Sequence, residues 1–431
     1  MKKLTRRSFL TGAAATAGAV AAGGALTACG GNNDDAKQEN KTVNTDEKIP
    51  MTIGYWGGNC CELAVYVAIE NKCFEEAGIE PKVVTITADT TEMLANDEID
   101  FFLWTPGFFL SFLQGANAKL IDVMHTGCWS GITLEGNGID NCADLAGKKV
   151  GCTGMSGPSY VESNSLCKRQ GGDPSKIEWV VYDGTLLLQA LKDGEVDAII
   201  GIDSTLYPQV KETKKAKFFF ISAQELSEYY CCFVCCNSHT LEKYADAGDK
   251  LALAFAKADD ILRADVDGAV EMAIEKGYTV GSYPDIEKGL AHNYLYGHGN
   301  KDDFTASIKE RWRELYDAGF LTDAPKEESE VDAYLDELTE AISEWHGDVA
   351  AETAAKPLKE QVAERGDAFG VNAEDIRATK KGKDNGVKSH YEAATSRPRH
   401  QRQSGAGAFA FRGEMTPDVR VTKGVTSLTW G

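Results

Sequence analysis

From Met51 onward the apolar positions alternate between short continuous runs and stretches of helical spacing. Met51–Tyr55, Pro81–Ile86, Ile99–Leu103 and Lys119–His125 read as strands. Between them, Glu62–Ala77 reads as a helix that Gly78 stops, with Thr90–Ala95 and Gly107–Gln114 as shorter helices. Strands this uniformly apolar are buried on both faces, so the rhythm predicts a mostly parallel sheet covered by helices. Gly131–Leu134 then leaves this unit. Lys149–Thr153, Glu178–Tyr182 and Asp197–Ile202, with helices between them, predict a second, smaller α/β lobe. Tyr229–Cys236 is a strand placed to cross back, and beyond it the pattern is helical over Asp249–Ala264, Val266–Lys276, Phe304–Ala318 and Glu328–Trp345. Two crossings between two lobes leave a cleft, which is a natural ligand trap.

The stretch Asp144–Leu166 shows how such a cleft is lined. Lys149–Thr153 is a strand, Gly154-Met155-Ser156-Gly157 a tight turn, and Pro158 suits the first turn of a new helix that Ser156 is placed to cap. A fresh helix N-terminus at the carboxyl edge of a sheet presents unpaired backbone N–H groups. That is where open α/β sheets bind ligands.

The two ends of the chain differ from this body. Thr5-Arg6-Arg7-Ser8-Phe9-Leu10 is a twin-arginine export pattern, followed by an Ala/Gly-rich run to Ala25 that is poorly suited to span a bilayer. Leu26-Thr27-Ala28-Cys29 resembles the bacterial lipobox, in which the cysteine is acylated and becomes the new N-terminus. Residues 1–29 are therefore read as a lipoprotein signal with Arg6 and Arg7 as export signal and Cys29 as lipidation site. Residues 30–50, rich in Asn, Asp, Lys and Thr, are read as a flexible tether. From Gly347 the chain turns basic and Gly/Ser/Ala-rich and loses apolar periodicity, so 347–431 is expected to be a disordered tail or a translation of out-of-frame sequence. In the whole chain, 45 Lys and Arg stand against 66 Asp and Glu, a net charge of −21, which argues against a nucleic-acid partner.

Leu63-Ala64-Val65-Tyr66-Val67-Ala68 leading to Cys73-Phe74-Glu75-Glu76-Ala77-Gly78-Ile79, the Asn96–Asp100 turn, Asp144–Gly151 and Gly194-Glu195-Val196-Asp197-Ala198 are the motifs that carry a resemblance. Residues 51–345 resemble the solute-binding proteins of ABC importers, of the nitrate/taurine/alkanesulfonate family with its thiamine-precursor relatives. The resemblance implies an α/β, two-lobed type II periplasmic-binding-protein fold with two hinge crossings. Lobe 1 is then 51–134 with 231–346, and lobe 2 is 135–230. It further implies a protein that is not an enzyme and needs no cofactor. Such a protein is lipid-anchored at the extracytoplasmic face of the cell membrane and delivers a small-molecule ligand to ABC permease subunits. The alternative is an enzyme, because Tyr230-Cys231-Cys232-Phe233-Val234-Cys235-Cys236 resembles the Cys-rich strand of the fungal pyrimidine synthase of thiamine biosynthesis. That family's cofactor-bearing lysine and nearby histidine align here with Trp104 and Phe108, which can neither form a Schiff base nor move a proton.

By the same resemblance the cleft walls are loops that follow successive strands. They supply Trp56, Asn59 and Cys60; Trp104 and Thr105; Cys128 and Trp129; Ser156, Ser159 and Tyr160; Asp183; and Asp203 as candidate ligand-binding residues. The loops contain no Lys or Arg but two acids and three tryptophans, which favours a neutral or cationic ring compound stacked on indole. A sulfonate or nitrate held by helix N-termini and hydroxyls stays open. Twelve cysteines less Cys29 leave an odd number, so at least one thiol cannot pair internally. Cys232-x-x-Cys235 has metal-ligand spacing, but on a strand those side chains point to opposite faces, and no metal site is expected. The strand's cysteines read as small buried hydrophobes. Cys60, Cys61 and Cys128, flanking the cleft loops, are candidates for a disulfide or a thiol contact with ligand.

Overall fold

A computed structural model describes residues 42–86, 90–155, 157–279, 281–297, 299–350, 356–365 and 376. Arg6, Arg7, Cys29 and Ser156 lie outside the described residues.

The first lobe opens with β1 (Ile49–Tyr55), α1 (Leu63–Glu70), α2 (Cys73–Glu76) and β2 (Ile79–Thr85), followed by α3 (Thr90–Ala95), β3 (Leu103–Trp104), α4 (Phe109–Leu113) and β4 (Ala118–Thr126). The second lobe holds β5 (Trp129–Leu134), β6 (Lys149–Cys152), α5 (Pro158–Arg169), β7 (Glu178–Val181), α6 (Gly184–Lys192) and β8 (Ala198–Ile202). It ends with α7 (Asp203–Glu212), β9 (Ala216–Ile221) and α8 (Ser222–Glu225). The chain returns through β10 (Tyr230–Asn237) to α9 (Ser238–Lys243), α10 (Ala247–Ala264), α11 (Val266–Glu275) and α12 (Pro284–Asn293). Three more helices follow among the described residues: α13 (Lys301–Asp317), α14 (Glu328–Ile342) and α15 (Leu358–Arg365).

The two sheets share one plan. Lobe 2 runs β7-β6-β8-β5-β9, and in lobe 1 the ladder β3-β10-β4 joins the parallel pair β1-β2 through a bridge from Ile53 to Phe101. In each sheet the βαβ strands pair in parallel, while a strand that has crossed from the other lobe inserts antiparallel: β10 between β3 and β4, and β5 between β8 and β9. The crossings lie at Gly127-Cys128 and between α8 and Tyr230. The first one therefore falls before β5 rather than after Leu134, because β5 is the inserted strand of lobe 2.

Burial follows the strand positions. β10 is buried at every residue, as a central strand must be, while edge strand β2 leaves Val83 exposed. The predicted helix Glu62–Ala77 is split. Lys72 adopts a left-handed φ of 60° and Asn71 turns its side-chain amide onto the Val67 carbonyl at 3.0 Å, which ends α1 and lets α2 restart against β2. α10 packs across both, with Phe255 against Phe74 and Phe101. The predicted strand Ile99–Leu103 shrinks to Leu103–Trp104 plus the Phe101 bridge.

Both termini of the body are more structured than their composition implied. Buried Lys250 fastens the end of the tether through the Asn44 and Glu47 carbonyls. Beyond Trp345, α15 docks with Leu358 wholly buried and its backbone N–H on Asp303, and Ile376 is also buried. The expectation of an unpacked tail from Gly347 is thus corrected for these residues, which still carry isolated apolar anchors although their periodicity is weak. No helix among the described residues is long and apolar enough to cross a membrane.

Candidate functional site

The loop after β1 is built by a residue that its sequence context hides. Gly57 and Gly58 take left-handed φ values of 76° and 85°, turning the backbone so that the Trp56 and Gly57 N–H groups converge on the Glu62 carboxylate at 2.9 and 2.8 Å. Tyr66 OH donates to the same carboxylate at 2.9 Å, and Asn59 caps the turn by accepting from the Glu62 N–H. Glu62 is wholly buried, and burial pushes its carboxyl up to about 7 although these donors oppose it. The signal was an Asn followed three residues later by Glu, a capping arrangement at the start of an apolar helix.

Two groups of candidate residues emerge. The first is aromatic and faces the seam between the lobes. Trp56, half-buried, lies parallel to Phe108 at 5.8 Å and edge-on to Phe102 at 5.4 Å. Trp104 is wholly buried and stacks on Phe112 at 4.3 Å, with its indole N–H unpartnered among the described residues. Thr105 is half-buried, and its carbonyl accepts the Phe108 N–H. On the facing lobe α5 begins with Gly157 as N-cap, and no side chain among the described residues caps it. Ser159 in its first turn is buried with its hydroxyl unpartnered among the described residues, and half-buried Tyr160 packs on Trp179 at 4.9 Å. The lobes touch here: a Cβ on Gly107 would stand 2.8 Å from Pro158 Cδ.

The second group is polar and sits at the two crossings. Asp203 opens α7 at the carboxyl end of β8, wholly buried, accepting from Ser130 OH and from Tyr294 OH at 3.3 Å. Burial pushes its carboxyl up to about 8 against the pull of Ser130. His125 stacks on Tyr294 at 5.1 Å, and Tyr296 OH donates to the Cys60 carbonyl at 2.7 Å. Cys60 turns its thiol toward the Glu287 carbonyl, and burial raises its pKa. Cys128 Sγ lies 3.6 Å from Cys231 Sγ and 3.9 Å from Cys232 Sγ. The Cys128 thiol holds Cys61 down to about 6, and Cys231 also falls well below the ordinary thiol range through Cys128 and Cys232. All eleven described cysteines are free and buried.

Trp129, almost wholly buried, lines a shallow depression over the strand ends of lobe 2 with Thr153, Gly184, Gly201, Ile202 and Thr205. Its indole N–H has no partner among the described residues, and Asp183 borders the same edge just before α6. The structure thus brings together the loops after β5's entry, β6, β7 and β8. Trp56, Trp104 and Tyr160 gather separately at the aromatic seam. Residues that the sequence did not single out as site members are Glu62, His125, Ser130 and Tyr294.

Comparison with known proteins follows this geometry. Residues 61–269 match the family model described as NMT1/THI5 like. Over 155 residues, 34% of this chain, the sequence is 27% identical to the 4-amino-5-hydroxymethyl-2-methylpyrimidine phosphate synthase of Schizosaccharomyces pombe, of which it spans 43% of the length. The alkanesulfonate-binding protein SsuA from Xanthomonas axonopodis pv. citri, bound to MOPS, superposes with a TM-score of 0.54 at 14% identity, over 69% of this chain and 99% of that one. The aliphatic sulphonate binding protein SsuA from Escherichia coli gives 0.51 at 15% identity, over 62% and 91% of the respective chains. The nitrate-binding protein NrtA from Synechocystis PCC 6803 gives 0.52 at 10% identity, over 77% and 97%. At such identities the likeness is one of fold, and the fold is the periplasmic-binding-protein fold.

Proposed function

We propose, from an NMT1/THI5-like domain set in a periplasmic-binding-protein fold, that the chain is an extracytoplasmic solute-binding protein. It captures a small molecule between its lobes and hands it to the permease of an ABC importer. The observation that carries this is the pair of crossings beneath a seam whose walls come from both lobes, with Gly107 against Pro158 at the mouth. The ligand-contacting set is Trp56, Asn59, Cys60, Trp104, Thr105, Cys128, Trp129, Ser156, Ser159, Tyr160, Asp183 and Asp203. Acylation of Cys29 would hold the protein at the outer membrane face, and Cys29→Ala should release it to the soluble fraction.

The chemistry of the walls favours a neutral or cationic ring with acceptor atoms. Aromatic faces are offered by Trp56 and Tyr160. The hydroxyl of Ser159 and the indole N–H of Trp129 are donors that find no partner among the described residues. Buried polar groups are ordinarily paired, so an unpaired donor at the seam, as at Ser159, or over the strand ends of lobe 2, as at Trp129, is a group a ligand can satisfy. A ligand at a hundredfold excess over its Kd adds about 2.7 kcal/mol of stability. Thermal melting of the purified chain against pyrimidines, nitrate, taurine, alkanesulfonates, bicarbonate and small amines should therefore show a shift of a few degrees for one class. Shifts from taurine or nitrate alone would overturn the ring assignment and leave the transport role intact.

The synthase reading is kept alive by the Schizosaccharomyces pombe relative and by the THI5-like family model. Against it stand Trp104 and Phe108 at the positions aligned with that enzyme's lysine and histidine. Recovery of a chemically altered pyrimidine from the protein would revive it.

A further inference from the structure

The turn between β1 and α1 brings a thiol to an imidazole. Cys61 sits on that turn, His125 near the end of β4 and Cys128 on the first crossing. The two sulfurs and one ring nitrogen of His125 all lie within 4.8 Å of one another, and all three residues are buried. We propose that Cys61 is a reactive thiol, oxidised by a hydroperoxide and then closed by Cys128 into a reversible disulfide.

The imidazole separates Cys61 from the other buried thiols. His125 Nδ1 meets the Thr126 carbonyl at 2.6 Å, which places a proton on Nδ1 and leaves Nε2 for the Cys61 thiol. A thiol beside a base that a third group holds in place is the arrangement of an activated cysteine nucleophile. Hydrogen bonding from Cys128, and after it from His125, holds Cys61 down to about 6 although burial opposes this. Burial opposes the imidazolium too, yet the Cys61 thiol leaves His125 above the ordinary histidine value. At pH 7 a thiol at about 6 is roughly nine-tenths thiolate, against roughly 3 % for an ordinary one. Burial pushes Cys152 and Cys235 the other way, to about 12, and so keeps them inert. Cys231 also falls, through Cys128 and Cys232, but it lies on a strand buried at every residue. Cys61 keeps 7 % of its surface exposed on a loop, enough to meet an oxidant as small as hydrogen peroxide.

The Cys61 thiolate attacks one oxygen of hydrogen peroxide, so that an S–O bond forms as the O–O bond breaks. The departing hydroxide takes the Nε2 proton of His125 and leaves as water, with Cys61 now a sulfenic acid. His125, neutral at this point, takes the Cys128 proton, and the Cys128 thiolate attacks the Cys61 sulfur. An S–S bond forms as the S–O bond breaks, and the displaced hydroxide recovers that proton and leaves as the second water. Two thiols lose two electrons, and one peroxide is reduced to two waters. Closing the remaining gap to the roughly 2.05 Å of a disulfide draws the loop that carries Trp56 and Asn59 toward the first crossing. This chemistry holds whatever solute the cleft takes.

The test uses the reduced full chain and one equivalent of hydrogen peroxide. Peptide mapping by mass spectrometry should find a Cys61–Cys128 disulfide, with two thiols lost per peroxide consumed and both restored by dithiothreitol. In Cys128→Ser, dimedone should label Cys61 as the trapped sulfenic acid. Cys61→Ser should abolish the early thiol loss, and His125→Gln should slow it on the order of tenfold as the thiolate fraction falls. Cys152→Ser should change neither rate nor product. Should a variant at the site fail to fold, the peptide map of the unaltered chain still decides. Folded, reduced chain that consumes no peroxide overturns the proposal. So does a map in which Cys61 stays free while another cysteine is oxidised, or in which it bonds to a partner other than Cys128.

Discussion

Arg311 of α13 and Glu162 of α5 meet across the lobes at 3.1 Å, with both side chains essentially removed from solvent. Glu314, one turn on in α13, takes the other side of the same guanidinium at 3.0 Å. One buried cation therefore faces two buried carboxyls. It can balance only one, and burial pushes Glu314 up to about 8 and Glu162 well above the carboxylate range. Around the rim Lys168 reaches Asp317 at 2.8 Å, and Arg169 pairs with Glu310. α5, whose first turn lines the seam, is thus pinned along its length to a helix of lobe 1.

Removing the cation leaves two carboxyls without it in the interior. Arg311→Met should cost about 3–5 kcal/mol in chemical denaturation. Combining it with Glu162→Gln and Glu314→Gln should recover most of that loss. A single substitution costing under about 1 kcal/mol would mean that the pair is solvated and the lobes open there.

The same trio predicts how stability depends on pH. Glu314 has an ordinary pKa of 4.5 and a folded value of about 8, so between those values the folded chain keeps a proton that the unfolded chain releases. Its contribution is complete below the unfolded value and is lost as pH rises through the folded one. The groups facing it are Arg311, Glu310, Glu162 and Arg169. Glu314→Gln should flatten the decline in melting temperature between pH 5 and 8, and an unchanged slope would count against a proton on this carboxyl.

The alternation of strands and helices was legible because continuous apolar runs and helical spacing persist over whole elements, and the two-lobed plan followed from them. Less visible was the break at Asn71-Lys72, since neither residue interrupts the apolar pattern that continues in α2. Nor was β9 anticipated, because Lys214-Lys215 ahead of it reads as a charged loop. In the site, Glu62 stands in the first turn of an apolar helix, and only the fold reveals it as the post around which Trp56 and Gly57 are hung. The cysteine cluster was hidden for a definite reason: it depends on a register shift in β10 and on a histidine more than a hundred residues before that strand, which no spacing rule encodes.

Gly127, at the first crossing, gives a matched pair with Gly154. A Cβ on Gly127 would lie 2.5 Å from the Ala223 backbone nitrogen, whereas one on Gly154 meets nothing within 4 Å among the described residues. Gly127→Ala should therefore cost on the order of 1–3 kcal/mol, since backbone on both sides must shift. Gly154→Ala should be close to neutral. Equal effects would mean that the crossing is loosely packed.

The tryptophans of the seam make different predictions, although the sequence presents them alike. Trp104 is wholly buried against Phe112, so Trp104→Ala should cost about 3–5 kcal/mol and lower the melting temperature whether or not ligand is present. Trp56 is only half-buried, with one face on Phe108 at 5.8 Å. Trp56→Ala should leave most of the stability in place while abolishing the ligand-dependent rise in melting temperature, and Trp56→Phe should restore part of it through the remaining ring. Measuring both variants with and without the best ligand from the screen separates the roles. If Trp56→Ala melts lower yet shifts with ligand as the unaltered chain does, the indole is core packing, and the ring-stacking assignment fails with it.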